Sequence, residues 1–122
     1  MTLDIKYQRV FLPTKDLDHS IDFYAHMGWT TGYRDSGLAL MELGGSYFFL
    51  QKAYLKEWAE NMMMNLVVDD VLAWYEKAAE VKASGKFDDV SFGHPHRESY
   101  GATVMHLIDP AGVCLHFAQF DK

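Results

Sequence analysis

Met105-His106-Leu107-Ile108-Asp109-Pro110-Ala111-Gly112-Val113-Cys114-Leu115-His116-Phe117 restricts the fold more than any other stretch of this chain. Apolar residues alternate with others on both sides of Asp109-Pro110-Ala111-Gly112, the period-2 pattern of two half-buried strands. Pro110 presets its own φ for a type I turn, and Gly112 takes the left-handed position that follows. The result is a three-residue loop with a bulge, which sets the register. Leu107 then faces Leu115 and Met105 faces Phe117 on one side of the sheet. His106 faces His116 on the other, beside Ile108, Cys114 and Ala118. A loop one residue shorter would split the histidines between faces.

The remaining chain reads as a repeat of element order. A first strand spans residues 7–12 and is ended by Pro13, which cannot donate to a ladder. Asp16 caps a helix carrying Leu17, Ile21, Tyr24 and Met27 at helical spacing, and Gly28 closes it. Strands follow at 29–34, 38–43 and 46–52. A connector over 53–62 contains a helical turn around 55–59. The pattern then returns. A strand covers 63–68, Asp70 caps a second helix with Val71, Trp74, Tyr75, Ala78 and Val81, and a strand covers 87–92. A loop spans 93–101, and the closing hairpin completes the chain. Asp70-Val71 repeats Asp16-Leu17 at an offset of 54 residues. The expected class is α+β, with two βαβββ modules at about 5–52 and 62–121 inside a single domain, 1–122.

Composition narrows the function. The 122 residues are 49% hydrophobic and 15% aromatic, too apolar for disorder and enough for a core. A net charge of −6 leaves no basic stripe for nucleic acid. No apolar run reaches membrane-spanning length, and the first residues, Met1-Thr2-Leu3-Asp4-Ile5-Lys6, do not read as a signal peptide. Cys114 is the single cysteine, which excludes an internal disulfide and suits a reducing, cytoplasmic setting.

Three motifs in order resemble the vicinal oxygen chelate superfamily, the glyoxalase/bleomycin resistance/dioxygenase family. They are Asp16-Leu17-Asp18-His19-Ser20-Ile21-Asp22-Phe23-Tyr24 with Gly28-Trp29, Leu66-Val67-Val68-Asp69-Asp70-Val71 with Trp74-Tyr75, and the closing hairpin from Asp109 to Phe117. The resemblance implies that the curled mixed sheets of paired modules form a cup for a ligand, within one chain or across two, and that the protein is a homodimer. Strand parity then puts Arg9, Phe49, Gln51, Met63, Asn65, His106 and His116 on the cup. Trp29, Tyr33, Phe49, Trp58 and Tyr100 are aromatics near it, suited to stacking on flat rings or a cation. Arg9 also calls for an anionic partner, with Glu42 and Glu98 as candidates.

The family's metal enzymes use His or Glu at four cup positions. Here those positions hold Arg9, Gln51, Met63 and His116. Arginine is a permanent cation that only donates, and methionine sulfur is soft. His116 alone suits a divalent ion, and with His106 still falls short of the three protein ligands of a catalytic zinc. The resemblance therefore points to the metal-free bleomycin resistance branch: no cofactor, no catalytic residue, and a small antibiotic-like molecule bound without chemistry. The alternatives are a metal-dependent lyase, isomerase or dioxygenase of the same superfamily, and a scaffold whose cup is filled by its own side chains. His94 and His96 read as surface loop residues. Cys114 reads as a small buried side chain, and Trp74 and Tyr75 as core or module interface.

Overall fold

The computed structural model describes residues 2–122; Met1, part of the amino-terminal stretch read above, lies outside them. The first elements are β1 (Phe11–Thr14), α1 (Leu17–Met27), β2 (Thr30–Arg34), β3 (Leu38–Leu43) and β4 (Ser46–Lys52). A one-turn helix α2 (Lys56–Ala59) leads to β5 (Met63–Val67) and α3 (Val71–Ala83). Then come β6 (Ser91–Phe92), β7 (His96–Glu98), β8 (Ala102–Ile108) and β9 (Cys114–Phe120). The class is α+β, with two mixed sheets that remain separate. One sheet has the order β1-β4-β3-β2, with β1 parallel to β4. The other runs β5-β9-β8, with β5 parallel to β9 and both β6 and β7 paired to β8.

Both helices start where their cap residues place them. The Asp16 carboxylate accepts from the His19 amide, and the Asp70 carboxylate accepts from the Ala73 amide. Gly28 ends α1 at φ 116°, a left-handed geometry in which a Cβ would clash with its own backbone. The hairpin has the register read from its turn: His106 opposite His116, Leu107 opposite Leu115, Met105 opposite Phe117. Asp109 and Val113 close it, with the Asp109 amide donating to the Val113 carbonyl at 2.9 Å.

Three expectations fail, all at sheet edges. The first strand is not residues 7–12: its ladder begins at Phe11 and runs through Pro13, opposite Gln51. As β1 is an edge strand, one side of its backbone is unpaired, and a proline is accommodated there. The strand expected over 87–92 shrinks to Ser91–Phe92, because Phe87 and Val90 turn into the core instead. The loop expected over 93–101 contains β7.

Each sheet has one packed face and one open face. Ala39, Met41, Phe48 and Leu50 of the first sheet are buried with Phe23, Tyr24 and Met27 of α1. Met105, Leu107, Leu115 and Phe117 of the second are buried with Val71, Ala78 and Val81 of α3. The two halves share one core. Phe23 meets Phe87 edge-on, and Trp74 stacks on Phe117 at 4.8 Å and reaches Trp29 at 5.6 Å. The opposite face of each sheet holds most of the residues expected to bind; on the second it is open around His106 and His116, while Ala102, Val104 and Ala118 further along the same face form a small buried cluster.

Candidate functional site

Register aligns the open face of the first sheet into an apolar row. Phe11 pairs with Phe49, Phe49 with Leu40, and Leu40 with Tyr33, across all four strands. The Phe11 and Phe49 rings lie 4.8 Å apart, and the Tyr33 hydroxyl donates to Asp35 at 2.7 Å. Gln51 lies next along β4, half-buried, between Pro13 and Leu38. This surface suits a flat or apolar ligand group.

Arg9 borders that row but not as a strand residue. It precedes β1, half-buried, with its guanidinium 4.1 Å from the Tyr7 ring centre and 4.6 Å from that of Tyr47. Two aromatic faces stabilise the cation. Neither Glu42 nor Glu98 pairs with it among the described residues, and its Nε is buried without a hydrogen-bond partner.

The open face of the second sheet is polar at its centre. Asn65 pairs with His116, and His116 with His106. The His106 and His116 rings lie 5.0 Å apart, and His116 Nδ1 is 2.9 Å from Asn65 Oδ1. His96, expected on a surface loop, extends the row: its ring is 5.7 Å from His106, and its Nε2 is 2.8 Å from Glu98 Oε1. Burial, then the neighbouring His116 and His96 rings, hold the His106 pKa below the usual imidazole value, with Glu98 opposing. Met63 flanks the row and is 57% exposed. Cys114 lies opposite Ile108, and burial pushes its thiol up, so it is a poor nucleophile.

The structure thus gathers Tyr33, Phe49 and Gln51 on one face, with Arg9 at its border, and Met63, Asn65, His106 and His116 on another. It does not bring Trp29, Trp58 or Tyr100 to their centres. Trp29 is only 3% exposed and packs edge-on against Tyr24 and Phe48. Its apolar neighbours on α1 and β4 outweigh its position just before a strand. Trp58 is half-buried on α2, and Tyr100 stands in the turn before β8 beside Phe120. Phe11, Leu40 and Tyr47 escaped the sequence reading, and His96 and Glu98 were read in other roles, as a surface loop residue and a candidate partner of Arg9. Leu40 was available from parity opposite Phe49, and His96-Arg97-Glu98 from its alternation. A separate crevice of about 300 Å³ lies between the halves of the chain, walled by Trp29, Leu43, Val68, Trp74 and Phe117. It borders the second open face only at Asn65 and Val67.

The metal positions implied by the resemblance do not suit a divalent ion. Arg9 and Gln51 belong to the first face, Met63 and His116 to the second, and His116 is the sole good ligand. Among the described residues no three His, Cys, Asp or Glu side chains group so as to hold a metal ion.

Comparison with known proteins bears on the fold. The chain is 26% identical to a bleomycin resistance protein of Klebsiella pneumoniae over 114 residues, 88% of this chain and 87% of that one. Its structure superposes on a bleomycin-binding protein crystallised with bleomycin at a TM-score of 0.78, covering 96% of this chain and all of that one, at 22% identity. The chain has the vicinal oxygen chelate fold. That fold extends to a lactoylglutathione lyase of Agrobacterium tumefaciens, at a TM-score of 0.71 and 16% identity over 97% of this chain and all of the other. No family model matches the chain. Phe49, Gln51, Met63, Asn65, His106 and His116, which strand parity put on the cup, lie on these two sheet faces.

Proposed function

We propose that this chain is a small-molecule-binding protein of the bleomycin-resistance type, which holds an antibiotic-like ligand without chemical change and without a metal of its own. The observation that carries the reading is the pair of open faces. One is an aromatic row and the other a polar imidazole row, and neither offers a metal-ligand set or an activated nucleophile. The similarity to the Klebsiella pneumoniae bleomycin resistance protein supports it. Tyr33, Phe49, Arg9 and Gln51 would contact the flat or apolar part of the ligand. Met63, Asn65, His106 and His116 would contact its polar part.

A homodimer in the cytoplasm completes the proposal. In one chain apolar side chains stand exposed: Met63 and Val67 on the second face, and Leu3 and Ile5 on the segment before β1. A second copy that covers these residues would turn open faces into a closed cup. No helix among the described residues is long and apolar enough to cross a membrane, and the lone thiol suits a reducing compartment.

Calorimetric titration of micromolar protein with bleomycin tests the binding role. Saturable heat is expected, with the drug recovered unchanged by mass spectrometry. Absence of heat would remove bleomycin as the ligand. Chemical conversion of the drug, or a stoichiometric divalent ion in the purified protein, would favour the enzymatic reading.

A further inference from the structure

We infer that the imidazole row on the second open face is a hydrogen-bond acceptor site for ligand groups with N–H donors, such as amides, amidines and protonated amines, and that acidification empties it. The inference rests on the binding role proposed above and specifies the chemistry of its polar wall. The argument starts at the two ends of the row. With the Asn65 amide oriented as it stands, its Oδ1, which only accepts, lies 2.9 Å from His116 Nδ1 and assigns the proton to that nitrogen. His96 Nε2 lies 2.8 Å from Glu98 Oε1, a carboxylate oxygen, so Nε2 carries the proton there. A neutral imidazole has one N–H. His116 is left with a bare Nε2 and His96 with a bare Nδ1. Asn65 and Glu98 thus take up the donors of the outer rings and leave acceptors for a ligand.

His106 stands between them, at ring distances of 5.0 and 5.7 Å, and three adjacent rings cannot all become cations without mutual repulsion. The groups facing it from neighbouring strands are His116 and Cys114 on β9, His96 and Glu98 on β7, and the uncharged Asn65 and Met63 on β5. Glu98 is the one anion among them and is already engaged by His96. Protonation would give each ring a second N–H and a positive charge, so donor would meet donor and cation would meet cation. The chain's net charge of −6 favours a cationic ligand at neutral pH.

Two readouts test this in the presence of EDTA, which keeps metal binding out of the result. Imidazole nitrogen spectra at about pH 7.5, above the imidazole range, should show Nδ1–H on His116 and Nε2–H on His96. The opposite tautomer at either ring would overturn the acceptor row. Benzamidine and benzoate share a ring but have opposite hydrogen-bonding chemistry. Benzamidine should shift the His106 and His116 signals saturably at neutral pH, and benzoate should not. Its affinity should fall about tenfold per pH unit for each proton taken up below the imidazole range. Preference for benzoate, a flat pH profile, or no shift with either probe would overturn the inference. Bleomycin is in neither readout, so a failed bleomycin titration rejects the proposed ligand separately.

Discussion

Tyr24 and Asp109 join the first helix to the closing hairpin through one buried hydrogen bond. The Tyr24 hydroxyl donates to Asp109 Oδ2 at 2.7 Å, while the Ala111 and Val113 amides donate to Oδ1, each at 2.9 Å. Burial pushes the Asp109 carboxyl above its usual range, and these donors oppose the shift. Tyr24 itself, fully buried beside that carboxylate, is held well above the usual phenol range and stays protonated. Tyr24→Phe should cost about 1.5–3 kcal/mol in urea unfolding at neutral pH, the range for a buried hydrogen bond to a charged group. The pH sign follows from linkage. A raised native pKa means the folded state holds its proton more readily than the unfolded one. Ionised Asp109 therefore costs stability, increasingly as pH rises from the carboxylate range through the native value. Since Tyr24 eases that cost, the penalty of Tyr24→Phe should shrink as acid protonates Asp109. A penalty that grows on acidification would contradict this. Gly112 is the other exacting position, at φ 99° and with Glu60 Cγ 3.3 Å from where a Cβ would stand. Gly112→Ala should lower stability by about 1–2 kcal/mol, readable as a lower urea midpoint.

The elements differ in how much of their stability is local, and so in how legible they were. Asp16, Asp70, Gly28 and the Asp109–Gly112 turn act on their immediate neighbours, and each has the role its residue type implies. The His106–His116 pairing followed from the turn alone. Edge strands depend on a partner distant in sequence, which is why residues 7–10 were read as strand and residues 96–98 as loop. The Arg9 position failed with the first, and the His96 contribution was lost with the second. Trp29 failed for a different reason: its burial comes from packing against Tyr24, Phe48 and Trp74, which no local pattern records. The segment after α3 shows another long-sighted contact. The Lys82 ammonium donates to the carbonyls of Phe87 at 3.2 Å and Asp88 at 3.0 Å, and also to that of Val90. These bonds fix an irregular segment whose Phe87 and Val90 fill the core. Lys82→Met keeps the aliphatic stem but removes the donors. Amides of residues 87–90 should then exchange with solvent faster, while those of β8 and β9 keep their protection. Unchanged exchange at 87–90 would show that core packing alone holds the segment.

At the scale of the whole molecule, the core shared by both halves leaves the His106–His116 row and the aromatic row exposed, and a second copy is the proposed cover. Light scattering should give twice the 14.0 kDa chain mass at micromolar concentration, and a monomer that still binds ligand would show the cup to be complete in one chain. The resemblance read from three motifs correctly anticipated the fold across nearly the entire chain. Parity within the strands anticipated much of both faces, while their separation into an aromatic and a polar surface emerged only from the sheets. The central claim is that these faces hold the ligand. Chemical-shift mapping with bleomycin tests it most directly. Saturable shifts should concentrate at Tyr33, Leu40, Phe49, Asn65, His106 and His116. Shifts confined to the Trp29–Trp74 crevice, or none at all, would contradict the account.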